Sequence, residues 1–453
     1  MAGQEAAPLY EGLRAYLGRA YAGFHTPGHR GRLPGLAGII ARLDLTELPL
    51  QPGGASTPVL AREAESLAAA LFGAERTYFL TNGASAGIMA MLLGTVPPGS
   101  VLTIGRDCHV SVVRACVLGD LRPDFLFPER RTEWAFPLGV DPVRAAAALR
   151  RGATVVLTNP VYQGIVWDLD ILAGAGGSLL VDEAHGAHLA FGRHGGGARA
   201  AGAAAWVHGS HKTLGSLTQT GMLHLGPGGR EETGTWLERL STTSPSYPLL
   251  ASLDLARRWA AREGRAAWER AAARMAGIRG ILRRSVRVLD EADLPNGARL
   301  DPAKLTVLAP SGGHRTARRL LEDHGIQVEA AGLDWLTFLV TPFHSDREIR
   351  RLVEALPRVL AAGGTAGPRW PSGLPRRALW PREAALAPRR YLPLARAAGE
   401  IASEPLCPYP PGIPLVWPGE IIEDETIGSI EATLAGGGEV TGLDPRGVPV
   451  VQV

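Results

Sequence analysis

The sequence predicts an α/β protein: a mostly parallel sheet covered by helices on both faces, followed by a smaller α/β domain. Two patterns and one total carry that expectation. Short apolar runs alternate with amphipathic helical patterns from about residue 59 onward, the rhythm of a βαβ sheet buried on both faces. A second, shorter alternation follows a long Arg/Ala-rich helical pattern at 249–284. Hydrophobic residues make up 45% and charged residues 20% of the 453 positions, a globular balance that excludes disorder along the whole chain.

The elements fall in order. Residues 59–72 (VLAREAESLAAALF) read as an amphipathic helix, 77–80 as a strand, and 85–93 as a helix after a Gly-punctuated turn. Strand-like runs recur at 101–104, 154–158, 178–181, 205–207 and 221–225. Beyond the long helical pattern come strand candidates at 286–289, 304–308 and 336–340, with helices at 315–325 and 346–361. Residues 362–380 are dense in Gly, Pro and Arg and read as a linker or crossover. In the tail, prolines at 408, 410, 411, 414 and 418 leave no room for a helix over 407–420. The expected organisation is an N-terminal segment (1–58), a large domain (59–262), a small α/β domain (263–361) and a C-terminal segment (362–453).

Composition narrows the function. Lys+Arg is 47 against Asp+Glu 44, a net charge of +3 that is too diffuse for a nucleic-acid or anionic-membrane partner. No apolar stretch approaches the roughly eighteen residues of a transmembrane helix. An early Glu5 and the lack of an apolar signal core argue against secretion. Three unpatterned cysteines (Cys108, Cys116, Cys407) suit a reducing cytoplasm better than a disulfide framework or a zinc site. Only Lys212 and Lys304 are lysines; the other 45 basic residues are arginine. A lysine in this chain therefore stands out.

Lys212 lies in HGSHKTLGSLTQTG (208–221), just after a strand-like run and among small and hydroxyl residues. Such neighbours let a bulky planar ligand come close, and a desolvated amine is suited to forming an imine with a carbonyl. Lys304, at the head of KLTVLAP, has no such context and reads as structural or surface. Asp182 ends the apolar run of SLLVDEAHGAHLAF (178–191). Ligands of open α/β sheets gather there, and a carboxylate could keep a pyridinium nitrogen protonated. His185 and His188 follow it, but no second cluster completes a metal site, so no metal is expected. TNGASAGIMA (81–90) is a Gly/Ser turn leading into a helix, where backbone N–H groups would hold a phosphate. His109, in GRDCHVSVVRA (105–115), could stack on a planar cofactor.

At this point the residues resemble one family: the pyridoxal-phosphate-dependent ornithine/lysine/arginine decarboxylases, in its short bacterial branch. The resemblance rests on FHTPGHRGR (24–32), LDLTEL (43–48), FGAERTYFLTNGASAG (72–87), RDCHVSVVRA (106–115), DEAHGAH (182–188), SHKTLGSLTQTG (210–221), TTSPSYPLLASLD (242–254) and YPPGIPLVWPGE (409–420). It implies the aspartate-aminotransferase fold (fold type I), pyridoxal 5'-phosphate as cofactor, and a homodimer or higher homo-oligomer with the active site at the interface. Lys212 would form the internal aldimine, Asp182 would pair with the pyridine nitrogen, and His109 would stack on the ring. His211 would contact the phosphate or the reacting substrate. Ala84 and Ser85 would present the phosphate turn, with His185 and Ser210 also in the cofactor-binding set. Thr242, Thr243 and Ser244 would reach the phosphate of a neighbouring protomer, and Glu420 would take the distal cation of a basic amino acid.

The implied activity is decarboxylation of arginine, lysine or ornithine to the amine and carbon dioxide, feeding polyamine synthesis. The alternatives are another reaction on the same cofactor, an aminotransferase or lyase, or a catalytically lapsed dimeric scaffold. Two departures from the family pattern stand out. Gly209 occupies the place of a serine, and PLQPGGASTP (49–58) replaces an acidic segment.

Overall fold

A computed structural model describes residues 22–24, 57–192, 197–361, 373 and 375–452. The LDLTEL segment, most of FHTPGHRGR, residues 49–56 of the second departure and the greater part of the predicted linker lie outside the described residues.

The large domain contains helix α1 (Thr57–Phe72), strand β1 (Arg76–Leu80), α2 (Gly83–Thr95), β2 (Val101–Gly105), α3 (Val110–Gly119), β3 (Arg122–Leu126), α4 (Pro142–Arg150), β4 (Thr154–Thr158), β5 (Ile165–Trp167), β6 (Ser178–Asp182), β7 (Ala205–His208) and β8 (Gly221–Leu225). Seven of these strands form one sheet in the order β1-β8-β7-β6-β4-β2-β3. The neighbours from β7 to β3 pair in parallel, and β8 runs antiparallel to both of its neighbours. The expected parallel sheet is thus present with one reversed strand. β3 has no counterpart among the expected strands because its sequence, RPDFL, opens with arginine and proline. Proline cannot donate to a ladder and is tolerated at an edge, and β3 is the edge strand.

The helical pattern at 249–284 divides into α6 (Tyr247–Trp259) and α7 (Arg265–Leu282), joined by a wider π-type turn over Ala260–Gly264; α5 (Glu232–Arg239) precedes them. In the small domain β9 (Ala298–Leu300), β10 (Lys304–Leu308), α8 (Gly313–His324), β11 (Trp335–Leu339) and α9 (Asp346–Leu360) follow. The candidate strand at 286–289 contributes only a single bridge, Val288 to Val307. Lys304, expected to be structural or at the surface, is 1% exposed. Ala22 and Gly23 pair with Ile326 and Gln327, so this piece of the N-terminal segment is built into the small domain. The C-terminal segment has its own core, which includes Leu406, Leu415, Val416, Ile422, Ile430, Val448 and Val450. Its one long helix, α11 (Asp424–Ala435), lies beyond the proline cluster and follows a shorter α10 (Pro381–Leu386).

A buried polar relay crosses the sheet and fixes the reversed strand. The Glu183 carboxylate lies 2.9 Å from His208 Nε2, His208 Nδ1 lies 3.0 Å from His224 Nε2, and His224 Nδ1 lies 2.8 Å from Thr77 Oγ1. A carboxylate accepts, so His208 donates to Glu183 through Nε2. Burial holds the His224 imidazole well below its ordinary pKa, with His208 adding in the same direction, in keeping with a neutral ring. A half-satisfied buried network costs more than an apolar one. His224→Leu, which strands both neighbours, is expected to lower the unfolding free energy by about 1–3 kcal/mol, read as a lower urea midpoint.

Candidate active site

The carboxyl ends of β1, β2, β4, β6 and β7 open on one cavity of about 330 Å³. Each delivers wall residues: Ala84 and Ser85 after β1, Asp107 and His109 after β2, Thr158 and Tyr162 from β4, Asp182, Ala184 and His185 from β6, and His211 and Lys212 after β7. Glu329 reaches the wall from the small domain, and Tyr409, Pro410, Pro411 and Ile413 reach it from the C-terminal segment.

Lys212 Nζ lies 2.9 Å from His185 Nε2. Burial pulls the amine down to about 8; Asp182 and Glu329 oppose that shift and Lys304 adds to it. The same burial, with Lys212 next in weight, holds His185 far below its ordinary pKa. His185 is therefore the acceptor at Nε2, and its buried Nδ1 has no hydrogen-bond partner. Asp182 accepts the Ala184 N–H at 3.1 Å. Burial raises its carboxyl, and Lys212 draws it back.

His109 is the N-cap of α3, its Nδ1 accepting the Ser111 N–H at 3.2 Å. Burial, then Lys212 and Arg114, lower its pKa to about 3, which leaves a flat neutral ring. His211 Nδ1 lies 2.8 Å from the Thr220 carbonyl, an acceptor, so Nδ1 carries the proton. Asn82 precedes α2 without capping it through its side chain. The N–H groups at Ala84 and Ser85 thus open an uncapped helix turn into the cavity, where an anion is favoured.

Ser210 is fully buried beside this group, with a hydroxyl that makes no hydrogen bond. Gly209, the position of the missing serine, lies against Ala184: a Cβ there would meet the Ala184 carbonyl oxygen at 2.8 Å and the Lys212 stem at 3.0 Å. Glycine is what lets these two segments approach.

The structure places Ser210 behind the cavity wall rather than on it, and two further expected groups away from it. Glu420 is 2% exposed, pairs with Arg106 at 3.0 Å and accepts the Trp417 N–H at 2.7 Å. It pins the C-terminal segment to the large domain, since Arg106 also donates to the carbonyls of Pro414 and Leu415. Thr242, Thr243 and Ser244 are exposed on this chain, ahead of α6.

Asp107, Tyr162 and Glu329 were not expected from the sequence. Asp107 stands two positions before His109 and Tyr162 follows the end of β4, so strand-end position could have signalled both. Nothing local marks Glu329, which only the packing of the small domain brings in. Asp107 is 2% exposed, and neither of its oxygens has a side-chain or neighbouring partner. Burial pushes its carboxyl from 3.8 to about 7, with Asp182 adding to the rise. A raised carboxyl pKa means that the folded state holds the proton more tightly, so stability is lost as pH climbs from about 4 through 7. In cofactor-free protein, Asp107→Asn should gain on the wild type between pH 5 and 8 by on the order of 1 kcal/mol in urea unfolding. A gap that does not change with pH would refute this.

The chain matches the family model for the major domain of ornithine/lysine/arginine decarboxylases over residues 44–296, and the model for their C-terminal domain over residues 374–435. It is 33% identical to an arginine decarboxylase of Bacillus subtilis over 486 residues, 99% of this chain and 98% of that protein. It is 31% identical to an arginine decarboxylase of Bacillus anthracis, covering 99% and 97%. Among solved structures, the constitutive lysine decarboxylase of Escherichia coli superposes with a TM-score of 0.72 at 21% identity, covering 98% of this chain and 81% of the other. Aminotransferases share the architecture more loosely, as with a ureidoglycine–glyoxylate aminotransferase of Bacillus subtilis, with a TM-score of 0.57 at 15% identity over 77% of this chain and 95% of the other. The fold is that of the fold-type-I pyridoxal-phosphate enzymes, and the chain belongs to the ornithine/lysine/arginine decarboxylase family.

Proposed function

We propose that this chain decarboxylates a basic amino acid with pyridoxal 5'-phosphate as cofactor, arginine being the first substrate to try. The observation that carries the reading is the convergence of Lys212, Asp182 and His109 on one cavity. The similarity to two arginine decarboxylases over nearly their whole length supports arginine.

The residues fit the cofactor. The uncapped turn at Ala84 and Ser85 suits its phosphate, the neutral His109 ring offers a face for stacking, and Asp182 would hold the proton of the ring nitrogen. His185, with an unpartnered Nδ1, and the buried Ser210 hydroxyl are the remaining polar groups on that side. When bound, the cofactor supplies an electron sink for the bond pair left by departing carbon dioxide.

The chain's own residues do the rest. With its amine lowered to about 8, Lys212 keeps a useful neutral fraction near neutrality and can attack a carbonyl. His185 Nε2 accepts a hydrogen bond from Lys212 Nζ and fixes the amine's direction. His211, held through Nδ1, presents its other nitrogen to the cavity it lines, placed to contact phosphate or substrate. A cationic substrate side chain needs a carboxylate near the wall. Glu420 is taken by Arg106, whereas Glu329 lines the cavity itself.

Thr243 and Ser244 are exposed, as residues that reach into the site of a second protomer of a homodimer would be. Three unpaired, buried cysteines support a reducing, cytoplasmic setting, where the amine product would enter polyamine synthesis. No helix among the described residues is long and apolar enough to cross a membrane.

The test is carbon dioxide release from arginine, lysine and ornithine by the cofactor-loaded enzyme. Lys212→Ala should lose roughly a thousandfold or more in turnover while the protein stays folded. Formation of a keto acid instead of amine and carbon dioxide would replace this reading with transamination.

A further inference from the structure

The second lysine is not a surface residue. Lys304 opens β10 and is buried, its stem packed beside Gly164 so tightly that a Cβ on that glycine would lie 2.3 Å from Lys304 Cβ. Its carbonyl and that of Asp301 both accept from Arg279 Nη2, at 2.7 and 2.8 Å. The ammonium sits 4.6 Å from the centre of the Tyr162 ring and 3.9 Å from Glu329 Oε1. Tyr162 Oη donates to that same carboxylate oxygen at 2.9 Å. The Tyr162 ring meets His185 edge to face at 4.7 Å, and His185 holds Lys212 Nζ at 2.9 Å. One continuous set of contacts therefore runs from the first lysine of the site to the other.

We propose that Lys304 is a positioning residue of the active site, an ammonium that holds Glu329 and Tyr162 against the cavity wall and acts across it on Lys212. Burying an ammonium is costly. Burial lowers the Lys304 pKa, Glu329 and Asp301 oppose that shift, and Nζ makes no hydrogen bond. Its support is the charge of a carboxylate at 3.9 Å and an aromatic face. Without it, the Glu329 carboxylate would be left to pair with Lys212. The compact head matters as well. A planar guanidinium is larger, and the stem is already in close contact at Gly164. A chain that uses arginine for 45 of its 47 basic side chains keeps lysine at the two positions joined by this set of contacts.

The inference rests on Lys212 being the reactive amine, and it is tested without turnover. The groups facing Lys212 are Asp182 and His185 from the end of β6, His109 from the end of β2, His211 beside it, Glu329 from the small domain, and Lys304 behind the wall. Two lysines make amine labelling unambiguous. Trace acetylation of cofactor-free protein across pH, read by peptide mass spectrometry, gives the titration midpoint of Lys212 directly. Lys304→Met should raise that midpoint by about one pH unit, because it removes a like charge and frees Glu329. Glu329→Gln should lower it, and Lys304→Arg should bring it back toward the wild-type value at reduced stability. A midpoint unmoved in Lys304→Met or in Glu329→Gln overturns the proposal; should Lys304→Met not fold, Glu329→Gln decides alone. If the shifts appear in a protein that releases no carbon dioxide from any basic amino acid, the positioning role stands and the functional reading falls.

Discussion

Everything at the site depends on the shared direction of five strands. β1, β2, β4, β6 and β7 all point their carboxyl ends the same way, and each hands a turn to the same cavity. Reversing any one of them would carry its turn to the opposite edge, a full strand length away. β8, the single reversed strand, has its carboxyl end at the other edge of the sheet and lines no part of the cavity. The Thr77–His224–His208–Glu183 relay ties that strand into its register, and Glu183 is the covalent neighbour of Asp182. A polar network buried on the sheet thus reaches the residue next to the Asp182 carboxylate of the cavity wall.

The electrostatics of the cavity follow from burial more than from any one charge. Lys212, Asp182, His185, His109 and Asp107 are all shifted toward their neutral forms, and desolvation is the largest cause for each. Charges then correct this in opposite senses. Asp182 supports the ammonium of Lys212, while Lys304 works against it. Two buried lysines thus face several carboxylates, and burial favours the neutral form of each. The C-terminal segment completes the enclosure. Arg106 grips three of its groups, and the Gly412 carbonyl accepts the Val110 N–H at the start of α3, one residue beyond His109.

Much of this was legible in the sequence, for identifiable reasons. Buried parallel strands are continuous apolar runs, so β4 and β8 match their expected bounds at 154–158 and 221–225. Asp182, His109 and Lys212 sit at run ends, where a linear reading can find them. β3 was not legible because an edge strand tolerates Arg122 and Pro123. Nor was the break at 260–264, where the helical pattern continues through the π-type turn. Glu329 lies between short strand segments of another domain, and its place on the wall is a tertiary fact. Glu420 was expected to take a substrate cation, and its pairing with Arg106 could not be read from the sequence because Arg106 is 314 positions away.

Gly209 sets how closely two turns of the site approach. The Ala184 carbonyl lies 2.8 Å from where a Cβ on Gly209 would stand, and the Gly209 N–H donates to that carbonyl at 3.0 Å. The turn after β6 and the turn after β7 are in close contact there. Those two turns carry Asp182 and Lys212. The next residue, Ser210, supplies a buried hydroxyl with no protein partner. A side chain at 209 would push the two turns apart, so glycine there keeps Asp182 and Lys212 at their spacing and leaves a polar group beside the cavity.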